Sequence, residues 1–168
     1  MARELVSIAE AVREELQTAQ DADTFAGPTW RAERSYADWD LELATTDGVR
    51  VDVVLVGNGV VIEQQTQTGV AYFVPIDIAV RKKLRAEDDY DGGGPSILST
   101  TVLDELVDLV EHIAEYFATP SRRLTTYTNA VFDAVTIITA NDKTTLREMR
   151  QFTGVVRVTL RSDKELSP

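Results

Sequence analysis

The stretch Gln151-Phe152-Thr153-Gly154-Val155-Val156-Arg157-Val158-Thr159-Leu160-Arg161 constrains the fold more than any other part of the chain. Side chains alternate across a strand, so Phe152, Val156, Val158 and Leu160 share one face while Arg157, Thr159 and Arg161 share the other. A strand with one apolar and one polar face belongs to a sheet that covers a helix layer and leaves its other side for water or a neighbour. No group in it performs chemistry, and the segment reads as part of a building block rather than a catalyst.

The segments before it complete an α+β pattern. Leu5, Ile8, Ala9, Val12 and Leu16 recur at steps of three and four, which predicts a one-sided helix over 3–19 ending before Gly27-Pro28. Trp30, Ala32, Arg34 and Tyr36 alternate with Arg31, Glu33 and Ser35, and Leu41 and Leu43 extend that strand toward Asp47-Gly48. Val49, Val51, Val53 and Leu55 follow on one face, with Arg50 and Asp52 on the other, so a hairpin about Asp47-Gly48 is expected. The stretch 57–69 is polar and reads as a loop.

A third strand is expected over 70–81, with Tyr72, Val74, Ile76, Ile78 and Val80 on one face and Pro75 favouring an edge or a bulge. The stretch 82–96, charged and then glycine-rich, reads as a mobile loop. Val102, Leu106, Leu109, Val110, Ile113 and Phe117 define a helix over 100–118, capped by Ser99, Thr100 or Thr101, with Asp104 and Glu105 in its first turn. A fourth strand over 131–139, a polar turn or short helix over 141–148 and the final strand close the chain. The expected fold is a single α+β domain over 1–168: a mainly antiparallel sheet of about five strands with two main helices packed on one face.

Composition narrows the function classes. With 17 Lys and Arg against 28 Asp and Glu the net charge is −11, the wrong sign for a surface that grips nucleic acid. An acidic wall would let nucleic acid slide past without sticking, and solubility explains the charge equally well. The chain has no cysteine, which excludes disulfides and thiolate metal sites. Met1-Ala2-Arg3-Glu4 lacks the apolar core of a secretory signal, and no apolar run approaches the roughly eighteen residues of a membrane span, so a soluble intracellular protein is expected.

Several constellations bear on chemistry. Asp52 and Glu63 resemble the carboxylate pair with which many nucleases hold Mg²⁺, but Gln65 stands where such sites need a lysine. Glu87, Asp88, Asp89 and Asp91 do not follow the spacing of a calcium loop. His112, the only histidine, falls at the edge of a helix stripe with no nucleophile motif to serve. Gly92-Gly93-Gly94-Pro95-Ser96 lacks the ending of a phosphate loop. No metal or cofactor is expected. Lys82, Lys83 and Arg85 form one basic cluster and Arg122 and Arg123 another; they are either solvated charge or contacts for the acidic loop of a neighbouring copy. The aromatic Trp30–Trp39 region is either core or subunit interface.

Taken in order, Arg34-Ser35-Tyr36, Asp40-Leu41-Glu42, Val49-Arg50-Val51-Asp52-Val53-Val54, Ile76-Asp77-Ile78-Ala79-Val80-Arg81-Lys82-Lys83-Leu84, Leu106-Val107-Asp108-Leu109-Val110-Glu111-His112-Ile113 and Phe152 to Leu160 resemble a known family. It is the lambda-type tail-terminator group of tail-completion proteins, found in long non-contractile-tailed phages and prophages. The resemblance implies a small α+β protein without enzymatic activity that assembles as a hexameric ring. Such a ring caps the tail tube, meets head-completion proteins and lets DNA pass without binding it specifically. It would reside in the virion tail or neck, and in the host cytoplasm during assembly, with no membrane contact. The acidic tract Glu87 to Asp91 is longer and more charged than that pattern.

The resemblance makes 57–69 and 82–96 contact arms, with Gln65, Gln67, Lys82, Lys83, Arg85, Asp88, Asp89, Arg122 and Arg123 as candidate subunit or partner contacts. Two alternatives stand beside it: an α+β protein-interaction module of a cell or prophage, and a metal-dependent hydrolase using Asp52 and Glu63.

Overall fold

The final strand and the third expected strand are the two long ribbons on which the domain is built. A computed structural model describes residues 2–36, 38–39, 41–44, 48–56, 59–66, 69–85, 88, 99–119 and 123–165. In order the elements are α1 (Ala2–Asp21), β1 (Trp30–Ser35), β2 (Val49–Leu55), β3 (Val61–Gln64), β4 (Gly69–Lys83), α2 (Thr100–Ala118), β5 (Ala130–Thr139), α3 (Lys143–Met149) and β6 (Gln151–Glu165). The result is an α+β fold with a six-stranded mixed sheet in the order β1-β2-β4-β6-β5, with β3 also pairing β4. Among the described residues no helix is long and apolar enough to cross a membrane.

Strands β4 and β6 run antiparallel along their whole lengths, bringing Val74 opposite Leu160, Ile76 opposite Val158 and Ile78 opposite Val156. These pairs are fully buried, as the alternation requires. Onto this face α1 lays Ile8, Val12 and Leu16, and α2 lays Leu106, Leu109, Val110, Ile113 and Phe117, all in one core. A row of rings joins α2 to β1 and β5: Phe25 stacks at 5.6 Å on Trp30 and 5.2 Å on Tyr116, and Phe117 at 5.0 Å on Phe132. Trp30 is therefore core, while Tyr36 at the end of β1 is 68% exposed. Gly154 lets α2 approach β6 closely: a Cβ there would fall 2.4 Å from Val110 Cγ2 and 2.8 Å from the Ala140 carbonyl.

The structure corrects the sequence reading at several points. Strands β1 and β2 are parallel, Trp30 opposite Val49 and Ser35 opposite Val54, not a hairpin. The residues expected to extend β1 are drawn onto the other side of the sheet. There Arg81 Nη1 donates to the Trp39 and Leu41 carbonyls, both at 3.2 Å. Gln151 accepts from Leu43 N at 2.8 Å and donates to the Leu41 carbonyl at 3.2 Å. With Trp39, Leu41 and Leu43 held there, the chain re-enters the sheet beside β1 in the same direction, a connection of the length that parallel neighbours need. Asp47 lies outside the described residues.

The expected loop 57–69 contains β3, whose residues Val61 to Gln64 pair antiparallel with Phe73 to Val70. All four are exposed, so no buried face imposes alternation on their sequence. Pro75 sits in a central strand, not at an edge. Pairing with β2 begins at Ile76 and pairing with β3 ends at Phe73, so no ladder partner stands opposite Pro75 on that side. Lys82 and Lys83 belong to β4, and Asp104 and Glu105 lie beyond the first turn of α2. Ser99 is the N-cap of α2 but makes no side-chain capping bond. The segment 141–148 is mostly the short helix α3, capped by the Asp142 carboxylate accepting from Thr144 N at 2.9 Å.

Candidate assembly surfaces

The face of the sheet turned away from α1 and α2 carries charge, and most of it is paired inside the chain. Asp52, only 1% exposed, accepts from Arg50 Nη2 at 2.8 Å, and Arg81 Nη2 stands 2.7 Å from its other oxygen. Arg50 also meets Glu33 of β1 at 3.0 Å. One step along β4, Asp77 faces Arg157 across the ladder and binds it with two parallel bonds of 2.7 and 2.9 Å. That bidentate bond raises the Arg157 pKa, against the burial that would lower it. Buried carboxylates held this way are structural elements, since a charge out of water needs its partner.

The same is true where β4 ends. Lys82 Nζ meets the Asp88 carboxylate at 2.5 Å, and Asp88 also accepts from Arg85 N at 2.8 Å. Burial alone would push the Asp88 pKa up, but the bonds from Arg85 N and Lys82 outweigh it and hold the carboxyl below its ordinary value. Lys83 pairs with Glu42 and donates to the Met149 carbonyl at 2.6 Å. Arg85 is exposed, and its carbonyl accepts from Arg150 at 3.5 Å.

Of the expected contact residues, Lys82, Lys83, Arg85 and Asp88 thus gather at the end of β4, and Lys82 and Asp88 satisfy one another. Gln65 lies at the opposite end of that strand, exposed, its N–H bonded to the Gly69 carbonyl at 2.9 Å. Arg123 is exposed and forms an isolated antiparallel bridge with Val131 of β5. Gln67, Asp89 and Arg122 lie outside the described residues.

Asp52 and Glu63 do not form a metal pair. They stand opposite Ala79 and Ala71 of β4, so eight residues of strand, about 27 Å, separate their positions. Glu63 is exposed beside Gln65, and Asp52 is already committed to two guanidinium groups. Among the described residues no three His, Cys, Asp or Glu side chains gather in a group that could hold a metal ion. His112 is exposed on α2.

Sequence reasoning missed a different surface. The described residues include seven exposed large hydrophobic side chains: Tyr36, Leu41, Val61, Ile62, Val131, Ile137 and Ile138. All but Leu41 sit on the borders of the sheet. Tyr36, at the end of β1, and Val61 and Ile62, on β3, lie to one side; Val131, Ile137 and Ile138 lie along β5 on the other. Two adjacent isoleucines in one strand cannot both face a single core, which is the one sequence signal for this surface. The outer side of α2 presents the exposed carboxylates Asp104, Glu105, Asp108, Glu111 and Glu115, with no Lys or Arg anywhere in the helix.

Set against models of known protein families the chain matches none, and none of the curated proteins matches it.

Proposed function

We propose that this chain is a structural subunit of a phage virion, a tail terminator or a neighbouring head–tail joining component, that closes into a ring. The observation that carries the reading is the pair of unlike apolar borders on opposite sides of one continuous sheet. A surface that is not self-complementary but has a distinct counterpart elsewhere on the same molecule makes head-to-tail contacts, and head-to-tail contacts that close give rings. The sequence resemblance to the lambda-type terminators supports the same assembly and suggests tail-tube and head-completion proteins as further partners. The acidic row on α2 suits a channel wall along which DNA phosphates are repelled rather than bound.

Negative-stain electron microscopy of the purified protein tests this reading. It predicts ring-shaped particles with a central hole. Uniform small particles without a hole, whatever the protein concentration, would favour the α+β interaction module instead.

A further inference from the structure

Within the ring just proposed, on which this inference rests, we infer that the open edge of β5 in one copy pairs with the open edge of β1 in the next, so that the sheet continues across the subunit boundary. The occupant of each edge is a second copy of this chain.

Both strands end the sheet. In the order β1-β2-β4-β6-β5, β1 pairs only with β2 and β5 only with β6, apart from the single bridge from Arg123 to Val131. β5 therefore presents a row of backbone donors and acceptors to solvent, a template for another strand, and β1 does so except at Ala32, whose N–H donates to Gln17 Oε1 of α1 at 3.0 Å. Proteins guard such rows with charged side chains, Pro or bulges; Ala130–Thr139 contains no Lys, Arg or Pro, and its one charge is Asp133. Its ladder with β6 slips between Phe132 and Ala134 and again between Ile137 and Thr139, which leaves Asp133 and Ile138 without partners on β6. The open stretch between these bulges carries Ile137 exposed, with Ile138 beside it.

Charge selects β1 as the counterpart. Asp133 is exposed and, among the described residues, has no ion-pair partner. On β1 the one carboxylate, Glu33, is taken by Arg50 of β2 at 3.0 Å. Arg31, with 81% of its side chain exposed, touches Glu33 only at 4.0 Å, and Arg34 is stacked over Tyr36 at 5.2 Å. The β1 border thus offers guanidinium groups and an aromatic ring, and the β5 border offers a carboxylate and two isoleucines. The β3 edge offers Val61 and Ile62 but a carboxylate of its own, Glu63, and so repels Asp133.

A charge swap read by sedimentation velocity tests the pairing. Asp133→Arg alone and Arg31→Asp alone should each raise the concentration for half-assembly at least tenfold, and the double variant should return it to within about threefold of the parent. Ile138→Lys, which places a guard on the edge, should disrupt assembly as strongly as either single swap. All three side chains are exposed, so monomer melting should stay unchanged in each variant. The pairing is overturned if either single swap leaves assembly intact, or if the double variant fails to recover it. Loss of assembly in Val61→Lys or Ile62→Lys with Asp133→Arg unaffected would overturn it in favour of β3. An unaltered parent ring in the swap variants sinks this contact alone, whereas a parent chain that never assembles sinks the ring itself.

Discussion

Replacing Asp52 by alanine separates a structural carboxylate from a catalytic one. In the folded chain Asp52 lies between Arg50 and Arg81 on a buried stretch of sheet. Its removal strands Arg81, whose side chain is 8% exposed and whose remaining bonds run to the carbonyls of Trp39 and Leu41. Arg50, with 31% of its side chain exposed, turns to Glu33 and water and loses less. Breaking a buried pair by deleting one partner costs about 3–5 kcal/mol, because the other charge stays buried. With a urea slope of about 2 kcal/mol per molar, the unfolding midpoint should fall by about 1.5–2.5 M.

The assay is equilibrium urea unfolding at one fixed protein concentration, since assembly would itself shift the midpoint. The double variant Asp52→Leu with Arg81→Met should recover a large part of the loss, because neither charge is then left alone. A cost below about 1 kcal/mol for Asp52→Ala would refute the reasoning.

Three further perturbations probe other parts of the fold. Phe152→Ala deletes a fully buried ring from the β6 core face and should cost about 3–5 kcal/mol in the same assay; a cost below about 1 kcal/mol would mean that the strand's phase is reversed. Gly154→Ala should lower stability by about 1–3 kcal/mol on thermal melting, since the added methyl meets Val110 and the Ala140 carbonyl; an unchanged melting temperature would mean that α2 does not approach β6 this closely. The pKa of Asp88 is lowered in the folded chain, so its contribution is present above the unfolded value of 3.8 and is lost as pH falls below it. The stability gap between the parent chain and Asp88→Asn should therefore be open at pH 7 and close below about pH 4, and a gap that stays constant with pH would contradict the Lys82–Asp88 pair.

What could be read from the sequence was whatever a strict period imposes. The apolar faces of β4 and β6 and the stripes of α1 and α2 are visible because a buried face forces a period of two or 3.6. The direction of β1 against β2 is not, because it depends on Arg81 and Gln151 holding Trp39, Leu41 and Leu43, and Gln151 stands 108 residues from Leu43. Strand β3 escapes notice because all four of its residues are exposed and its pattern answers to no core.

The candidate surface divides in the same way. Opposite charges at Lys82 and Asp88 are plain in the sequence, but that they bind one another at 2.5 Å within one chain is a matter of where β4 stops. The exposure of Ile137 and Ile138 follows from β5 ending the sheet, which no local pattern encodes. Asp133 is legible as a charge in a strand, and only the slipped ladder reveals it as a residue without a partner on β6.

In the proposed assembly, two unlike borders of one sheet join copies of the chain into a closed ring. Native mass spectrometry across a concentration series reads that closure as a mass. One dominant closed species is expected, at the six times 18.6 kDa that the terminator resemblance implies, and dilution should convert it to monomer. A mass of 18.6 kDa at every concentration would contradict it.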